Sequence, residues 1–330
     1  MNHRPNLAAR SAIVAALVAL LVLPALASAD FKSIQIEGPD FATGAIDAQH
    51  GWKSLGATGG ALDHFVNDLS AIGPTYDAAY TAAFGARALR ISNGQTSGGF
   101  GNQTFSSPTT NEAGETSSDN EGQSGGSRQN AFSATFTVAS ARPGVNQPGL
   151  YLGVSPDRGD GSRGGGLLRI LDNGAGSLEL QWSDYKLNDP AFTTHLLGTM
   201  SNDAPHQIRI SLRFYDGATN DVVRVYVDGQ ERTPVEGLTT WEDYSRNFGE
   251  PDTVDSLLFR TSGTAAPANQ GYGYLIDDLQ LLTQTLSDVG IGPSGETGAT
   301  GATGASGAAG VAGVAGAAGQ TGADGANGAN

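Results

Sequence analysis

Three carboxylates fall within six residues at Glu250-Pro-Asp252-Thr-Val-Asp255. Two carboxyl groups held at a fixed separation across a sugar–sugar bond are what glycoside hydrolysis requires. A strand could hold them, but Pro251 cannot donate to a central ladder. The segment therefore reads as an acidic loop entering a strand at Ser256, with Glu250, Asp252 and Asp255 as the one catalytic constellation on offer. Gly122-Gln-Ser124-Gly-Gly126 matches a serine nucleophile pattern, but its Ser/Gly surroundings lack the strand before and the helix after that such an elbow needs. His50, His64, His195 and His206 are scattered without metal-ligand spacing, which argues against zinc. Calcium takes six to eight oxygens. Asp157 and Asp160 in one glycine-rich turn, and Asp277-Asp278 on the last predicted strand, are candidates to begin such a site. Arg158-Gly159-Asp160 also spells an integrin-type tripeptide, and reads more simply as part of the turn.

Ligand binding without catalysis needs accessible rings and polar neighbours. Trp241 and Tyr244, in Thr-Trp-Glu-Asp-Tyr, are the best platform for a carbohydrate, unless Trp241 caps one end of the core. A second candidate surface is the polar side of two alternating strands, carrying Arg209, Arg213, Arg224 and Tyr226. It reads equally as an ordinary solvated face.

The elements that must position these groups are strands. Phe132, Ala134, Phe136 and Val138 alternate with Ser133, Thr135 and Thr137; Ile208, Ile210, Leu212 and Phe214 alternate with Arg209, Ser211 and Arg213. Val223, Val225 and Val227 continue the pattern, and period two with one apolar face marks a half-buried strand. Further strands are predicted over 88–92, 150–155, 166–171, 178–182, 256–261 and 273–282, separated by turns such as Asp172-Asn-Gly174 and Asp228-Gly229. Ala78 to Ala88 is the best candidate for a short helix. Residues 93–130, rich in Gly, Ser, Thr and Asn, read as a long polar loop. Many strands with no βαβ rhythm predict an all-β, two-sheet sandwich over residues 30–284.

The two ends differ from this body. Residues 1–29 carry Arg4 and Arg10, an unbroken apolar run from Ala12 to Leu23 and Ala27-Ser-Ala29, the pattern of a secretory signal peptide. Residues 285–291 read as a linker. From Gly292 to Asn330 glycine occupies every third position through thirteen triplets, the frame of a collagen-like repeat. That segment holds one proline, Pro293, so it predicts either a trimerising stalk or a flexible tail. The formal charge of −15 disfavours nucleic acid and anionic lipid as partners, and there is no cysteine to supply a disulfide.

Ile46-Asp-Ala-Gln-His-Gly-Trp52, Ala88-Leu-Arg-Ile-Ser-Asn93, Phe100-Gly-Asn-Gln-Thr-Phe105, Leu150-Tyr-Leu-Gly-Val-Ser-Pro-Asp157, Asn220-Asp-Val-Val-Arg-Val-Tyr-Val-Asp-Gly229 and Tyr274-Leu-Ile-Asp-Asp278 give the chain a further character. Together they resemble a secreted bacterial domain of the concanavalin A-like, laminin G-like jelly-roll type, over almost all of residues 40–283. The resemblance implies the fold rather than an activity, since jelly rolls host lectins, glycosidases, lyases and adhesion modules. Jelly-roll glycosidases of the laminarinase kind carry Glu-x-Asp-x-x-Glu on one strand; the trio here ends in Asp255 and contains Pro251. Alginate-lyase-type jelly rolls use an Arg-x-Glu-x-Arg strand and a Gln-Ile-His strand; the nearest match, Gln207-Ile208-Arg209, lacks the histidine. The expectation is a secreted, non-enzymatic binding or adhesion module for a glycan or a surface protein, displayed as a homotrimer if the tail associates. The alternatives are a polysaccharide hydrolase or lyase, and a structural matrix or coat protein.

Overall fold

The computed structural model describes residues 29–55, 63–95, 103–109, 116–117, 124–125, 130–147, 149–157, 159, 164–186, 189–215, 219–242, 244, 254–261 and 265–284. The chain begins with β1 (Ala29–Ile34), β2 (Gly44–Ala45), β3 (Lys53–Leu55) and β4 (His64–Asp68). Two short helices follow, α1 (Leu69–Ile72) and α2 (Ala78–Phe84), and then β5 (Arg87–Ile91) and β6 (Gln103–Phe105). Among the described residues, β7 (Thr116–Ser117) and β8 (Ser124–Gly125) pair with each other. The central strands are β9 (Ala131–Ser140), β10 (Tyr151–Asp157), β11 (Leu167–Asp172), β12 (Ser177–Lys186) and β13 (Asp189–Ser201). The described part closes with β14 (His206–Arg213), β15 (Val222–Val227), β16 (Gln230–Glu231), β17 (Ser256–Arg260) and β18 (Tyr274–Gln284).

These strands form a two-sheet antiparallel jelly-roll sandwich. The first sheet runs β16-β15-β14-β9-β18-β5-β4-β2, with β1 along the second half of β18. The second runs β13-β12-β11-β10-β17-β6-β3. Strict alternation builds the core between them. Phe132, Ala134 and Phe136 on β9 face Leu212, Ile210 and Ile208 on β14, all buried. The second sheet contributes Leu152, Val154, Leu168, Ile170, Leu180, Trp182, Leu257 and Phe259 to the same core. Phe136 meets Phe259 edge-on across the sheets at 5.9 Å, a favoured ring geometry. The Tyr274 hydroxyl donates to the Ile170 carbonyl at 3.3 Å, so the one polar end of this large side chain is satisfied. Gly166, at φ +130°, is required by the core: a Cβ there would lie 2.2 Å from the Trp182 ring.

The predicted helix stops at Phe84 rather than Ala88. Gly85 takes φ 58° and returns its N–H to the Thr81 carbonyl, and Arg87 then opens β5. Asp77 caps the helix by accepting from the Tyr80 N–H at 3.0 Å. Tyr80 and Phe84 pack on the side of the first sheet away from the main core, against Ala88, Ala139, Ala141 and Leu275. The polar segment expected to be a loop over 93–130 contributes β6 to the second sheet, where Gln103 pairs with Arg260. Gly122 and Gly126 of the serine pattern lie outside the described residues, and Ser124 sits in the two-residue β8.

Candidate functional site

The outward face of the second sheet is where groups capable of recognition collect. In an antiparallel ladder, residues directly opposite share a face. Gly153 on β10 lies opposite Arg169 on β11 and Arg260 on β17. Arg169 lies opposite Gln181 on β12, and Arg260 opposite Gln103 on β6. Their chain neighbours Leu152, Leu168, Leu180 and Phe259 point into the core, so this row points out.

The space over Gly153 is already filled by the side chains around it. A Cβ at Gly153 would sit 2.9 Å from Leu167 Cδ1, 3.3 Å from Arg260 Cγ and 3.3 Å from the Tyr151 hydroxyl. The Arg169 guanidinium carbon stands 5.9 Å from the centre of the Tyr151 ring. Arg260 hydrogen-bonds Tyr151, and its pKa is drawn below the usual value. Burial is the main cause and the neighbouring Arg169 charge adds to it, while Tyr151 and Asp157 oppose it. Arg169 is half-buried, and its Nε is covered and has no hydrogen-bond partner. Glu179, beyond Gln181 on the same side of β12, accepts from the Gln181 side-chain amide.

Toward the other end of β12 the same side carries rings. Tyr185 lies opposite Phe192 on β13, with ring centres 5.2 Å apart. Tyr244 is 5.5 Å from Tyr185 and Trp241 is 5.1 Å from Phe192. Trp241 donates its indole N–H to the Ser183 carbonyl at 2.8 Å, which fastens the 241–244 segment against the strand. Phe192 is 46 % exposed and the other three rings are half-buried. Between rings and arginines, Phe105, Leu258, Ser155, Leu167 and Ser183 form a buried row. Tyr185 and Gln181 are four residues apart on β12, about 13 Å at the usual strand rise.

The remaining candidates fall elsewhere. On the first sheet, the Arg209 guanidinium lies 3.7 Å from the centre of the Tyr226 ring, a compact cation–π pair. Arg224 donates to Glu231 Oε1 at 2.8 Å and to the carbonyls of Pro234 and Val235, so it ties down the β15–β16 hairpin. Arg213 lies at the end of β14, the strand of Arg209, opposite Ala131 and Val222. Glu250 and Asp252 lie outside the described residues; Asp255 is buried just before β17, its N–H donating to the Asp157 carbonyl at 3.2 Å. Asp160 is also outside the described residues, whereas Asp157 is buried and accepts from the Gly159 N–H at 2.6 Å.

Asp277 has a protein-based answer to its burial. A bulge shifts the β18–β9 register between Asp277 and Gln280, and Asp278 there takes φ 51°. Asp277 Oδ1 then accepts from the N–H groups of Ile36, at 2.8 Å, and Asp278, at 2.7 Å. Burial nevertheless pushes its pKa up to about 7. Among the described residues, no group of three His, Cys, Asp or Glu side chains is arranged to hold a metal ion.

No family model matches the chain, and no curated protein matches it. Solved structures do. One is an alginate lyase in complex with an alginate tetrasaccharide, 13 % identical, TM-score 0.44, aligned over 76 % of this chain and 96 % of that one. Another is a β-glucanase of Bacillus licheniformis, 11 % identical, TM-score 0.36, over 77 % of this chain and 98 % of that one. Sheep galectin-11 aligns over 46 % of this chain and 89 % of its own, at 13 % identity and TM-score 0.26.

Sequence reasoning singled out Trp241 and Tyr244 but missed their partners Tyr185 and Phe192, and missed Arg169, Arg260 and Tyr151 altogether. A signal for the arginines was present. Leu167-Leu-Arg-Ile-Leu171 and Ser256-Leu-Leu-Phe-Arg260 each place one arginine in an apolar strand, which is costly unless the charge has a task.

Proposed function

We propose that the domain is a glycan-binding module whose ligand docks on the outward face of the second sheet. The observation that carries this reading is the four-ring cluster of Tyr185, Phe192, Trp241 and Tyr244. Rings that keep part of their faces in solvent, and are fixed by the Trp241 bond to Ser183, supply a rigid apolar platform at little entropic cost. The C–H face of a sugar ring fits such a platform, and neighbouring polar groups fix its orientation. The reading extends to export through residues 1–29 and multivalent display through residues 292–330. Display of several copies would multiply a weak glycan affinity without new contacts.

The test is affinity electrophoresis against a panel of neutral and acidic polysaccharides, beside a reducing-sugar release assay. Retardation by at least one polymer, reduced tenfold or more in Trp241→Ala and without sugar release, is the expected result. Release of sugar that is abolished by Glu250→Gln would replace the module with a hydrolase. No retardation by any polymer would remove the glycan reading.

A further inference from the structure

We infer that β13, the outer strand of the second sheet, pairs antiparallel with β13 of a second copy of the chain, across a twofold axis at Thr194. The inference is independent of the glycan reading, since the association needs no ligand. It starts from the edges of the sheets. Among the described residues, β16 and β2 close the first sheet with two residues each, and β3 closes one side of the second with three. β1, along β18, has six and carries Asp30 and Lys32. Short or charged edges are how sheets avoid unwanted pairing. β13 has neither protection. It is 13 residues long, and β12 is its one partner strand among the described residues. No Asp, Glu, Lys or Arg lies between Pro190 and Ser201.

The same strand shows apolar side chains to water. Phe192 is 46 % and Leu196 67 % exposed, and Thr194 between them is exposed as well. The three share one side of the sheet, opposite Tyr185, Gln181 and Ser183 respectively. Their spacing selects the partner. With Thr194 opposite Thr194 of the second copy, Phe192 lies opposite the second copy's Leu196, and Leu196 opposite its Phe192. Aromatic–aliphatic pairs of this kind stabilise neighbouring strands, and their contact removes apolar surface from water. Charge points the same way. A chain at −15 repels its own copies over most of its surface, and this strip adds no like charge. Asp184, opposite Thr193 on β12, is buried; it accepts from the Thr239 hydroxyl at 2.6 Å and has His195 Nε2 3.2 Å away. The pairing length is bounded by Pro190, which lacks an N–H, and by the register shift at Leu196–Gly198, where Gly198 takes φ 104°. With one such edge per copy among the described residues, the same patch is used twice and the contact closes at two. The two ring platforms then share one surface, with a Phe192 on either side of the axis.

The experiment uses the full chain in sedimentation velocity over a concentration series, together with cysteine cross-linking, which the lack of native cysteine makes site-specific. Wild type should self-associate in the micromolar range, as suits a short interface. Leu196→Asp should weaken that association about tenfold or more. Val235→Asp makes the same charge change at an apolar residue outside β13 that is 89 % exposed, and should alter the association less than about twofold. Thr194→Cys should give a covalent dimer with a short bis-maleimide, and Val235→Cys should give little. Any proximity imposed by residues 292–330 acts on both cysteine variants alike. If Leu196→Asp also lowers the melting temperature, the comparison of the two cysteine variants decides. A particle of one copy at every concentration would overturn the pairing. So would an association that Leu196→Asp leaves intact, or equal cross-linking at positions 194 and 235.

Discussion

The outward faces of the two sheets carry similar residues and use them differently. On the first sheet, Arg209 lies on Tyr226, Arg224 is bonded to Glu231 and two carbonyls, and Arg90 is buried with every contact supplied. Arg90 pairs with Asp63 at 2.8 Å and donates to Asn67 and to the Tyr272 carbonyl. On the second sheet, Arg169 keeps a covered Nε without a partner and repels Arg260 across Gly153. Arginine in a strand is therefore no guide to function; what it is bonded to is. A cation whose valences are met holds the fold together, and one left short contributes less to it.

The sharpest way to break this comparison is to remove one partner on each sheet. Asp63→Ala strands the Arg90 charge in the interior and should cost about 3–5 kcal/mol in a urea titration. Arg169→Met removes a charge that has no full complement, and should leave stability unchanged or raise it by about 1 kcal/mol. Equal losses in the two variants would erase the distinction.

A second test concerns two buried titratable groups of the first sheet. His64, fully covered and bonded through Nδ1 to the Thr104 hydroxyl at 2.6 Å, has its pKa lowered to about 4, chiefly by burial. The unfolded chain binds that proton more readily between about pH 6.5 and 4, so this contribution is lost as pH falls through the window. Asp277, raised to about 7, has the opposite sign: its contribution is present below about pH 4 and is lost as pH rises to about 7. The two oppose each other over nearly the same range. Asp277→Asn keeps an oxygen for the Ile36 and Asp278 N–H groups and removes one term. Its stability should rise with pH from 4 to 6.5, on the order of a few kcal/mol relative to wild type at pH 8. A profile parallel to that of wild type in denaturant midpoints would refute the assignment.

Smaller effects refine the picture of the second sheet. Gly153→Ala should lower stability by about 1–3 kcal/mol by crowding Leu167 and Arg260. It should also alter polymer binding, because Arg260 and Tyr151 must shift to make room. Arg224→Gln, at a half-exposed pair, should lose about 1 kcal/mol or less and leave polymer binding unchanged. A larger binding loss in Arg224→Gln than in Gly153→Ala would move the site to the first sheet.

Much of the sandwich was legible because alternation is a local property. β9, β14 and β15 follow directly from apolar residues at every second position, and β18 from its apolar content, all within two residues of their predicted ends. β13 was not legible. Its outward side carries Phe192 and Leu196, both exposed, and its edge position leaves little of the strand facing the core. β6 was hidden in a polar segment because its pairing partners, β3 and β17, are far away in sequence. The ring site was half legible: Trp241 and Tyr244 stand close in sequence, whereas Tyr185 and Phe192 reach them only through the β12–β13 hairpin.

The sequence alone determined a β-rich body between two unlike ends, its strand periodicity and its acidic charge, since each depends on neighbours a few residues apart. Only the tertiary structure decided which arginines meet. Arg169 and Arg260 are strangers along the chain and meet across Gly153 because β10 pairs with β11 on one edge and β17 on the other. Proximity set by sheet order has no local signature, and a buried atom without a partner is defined by everything folded around it.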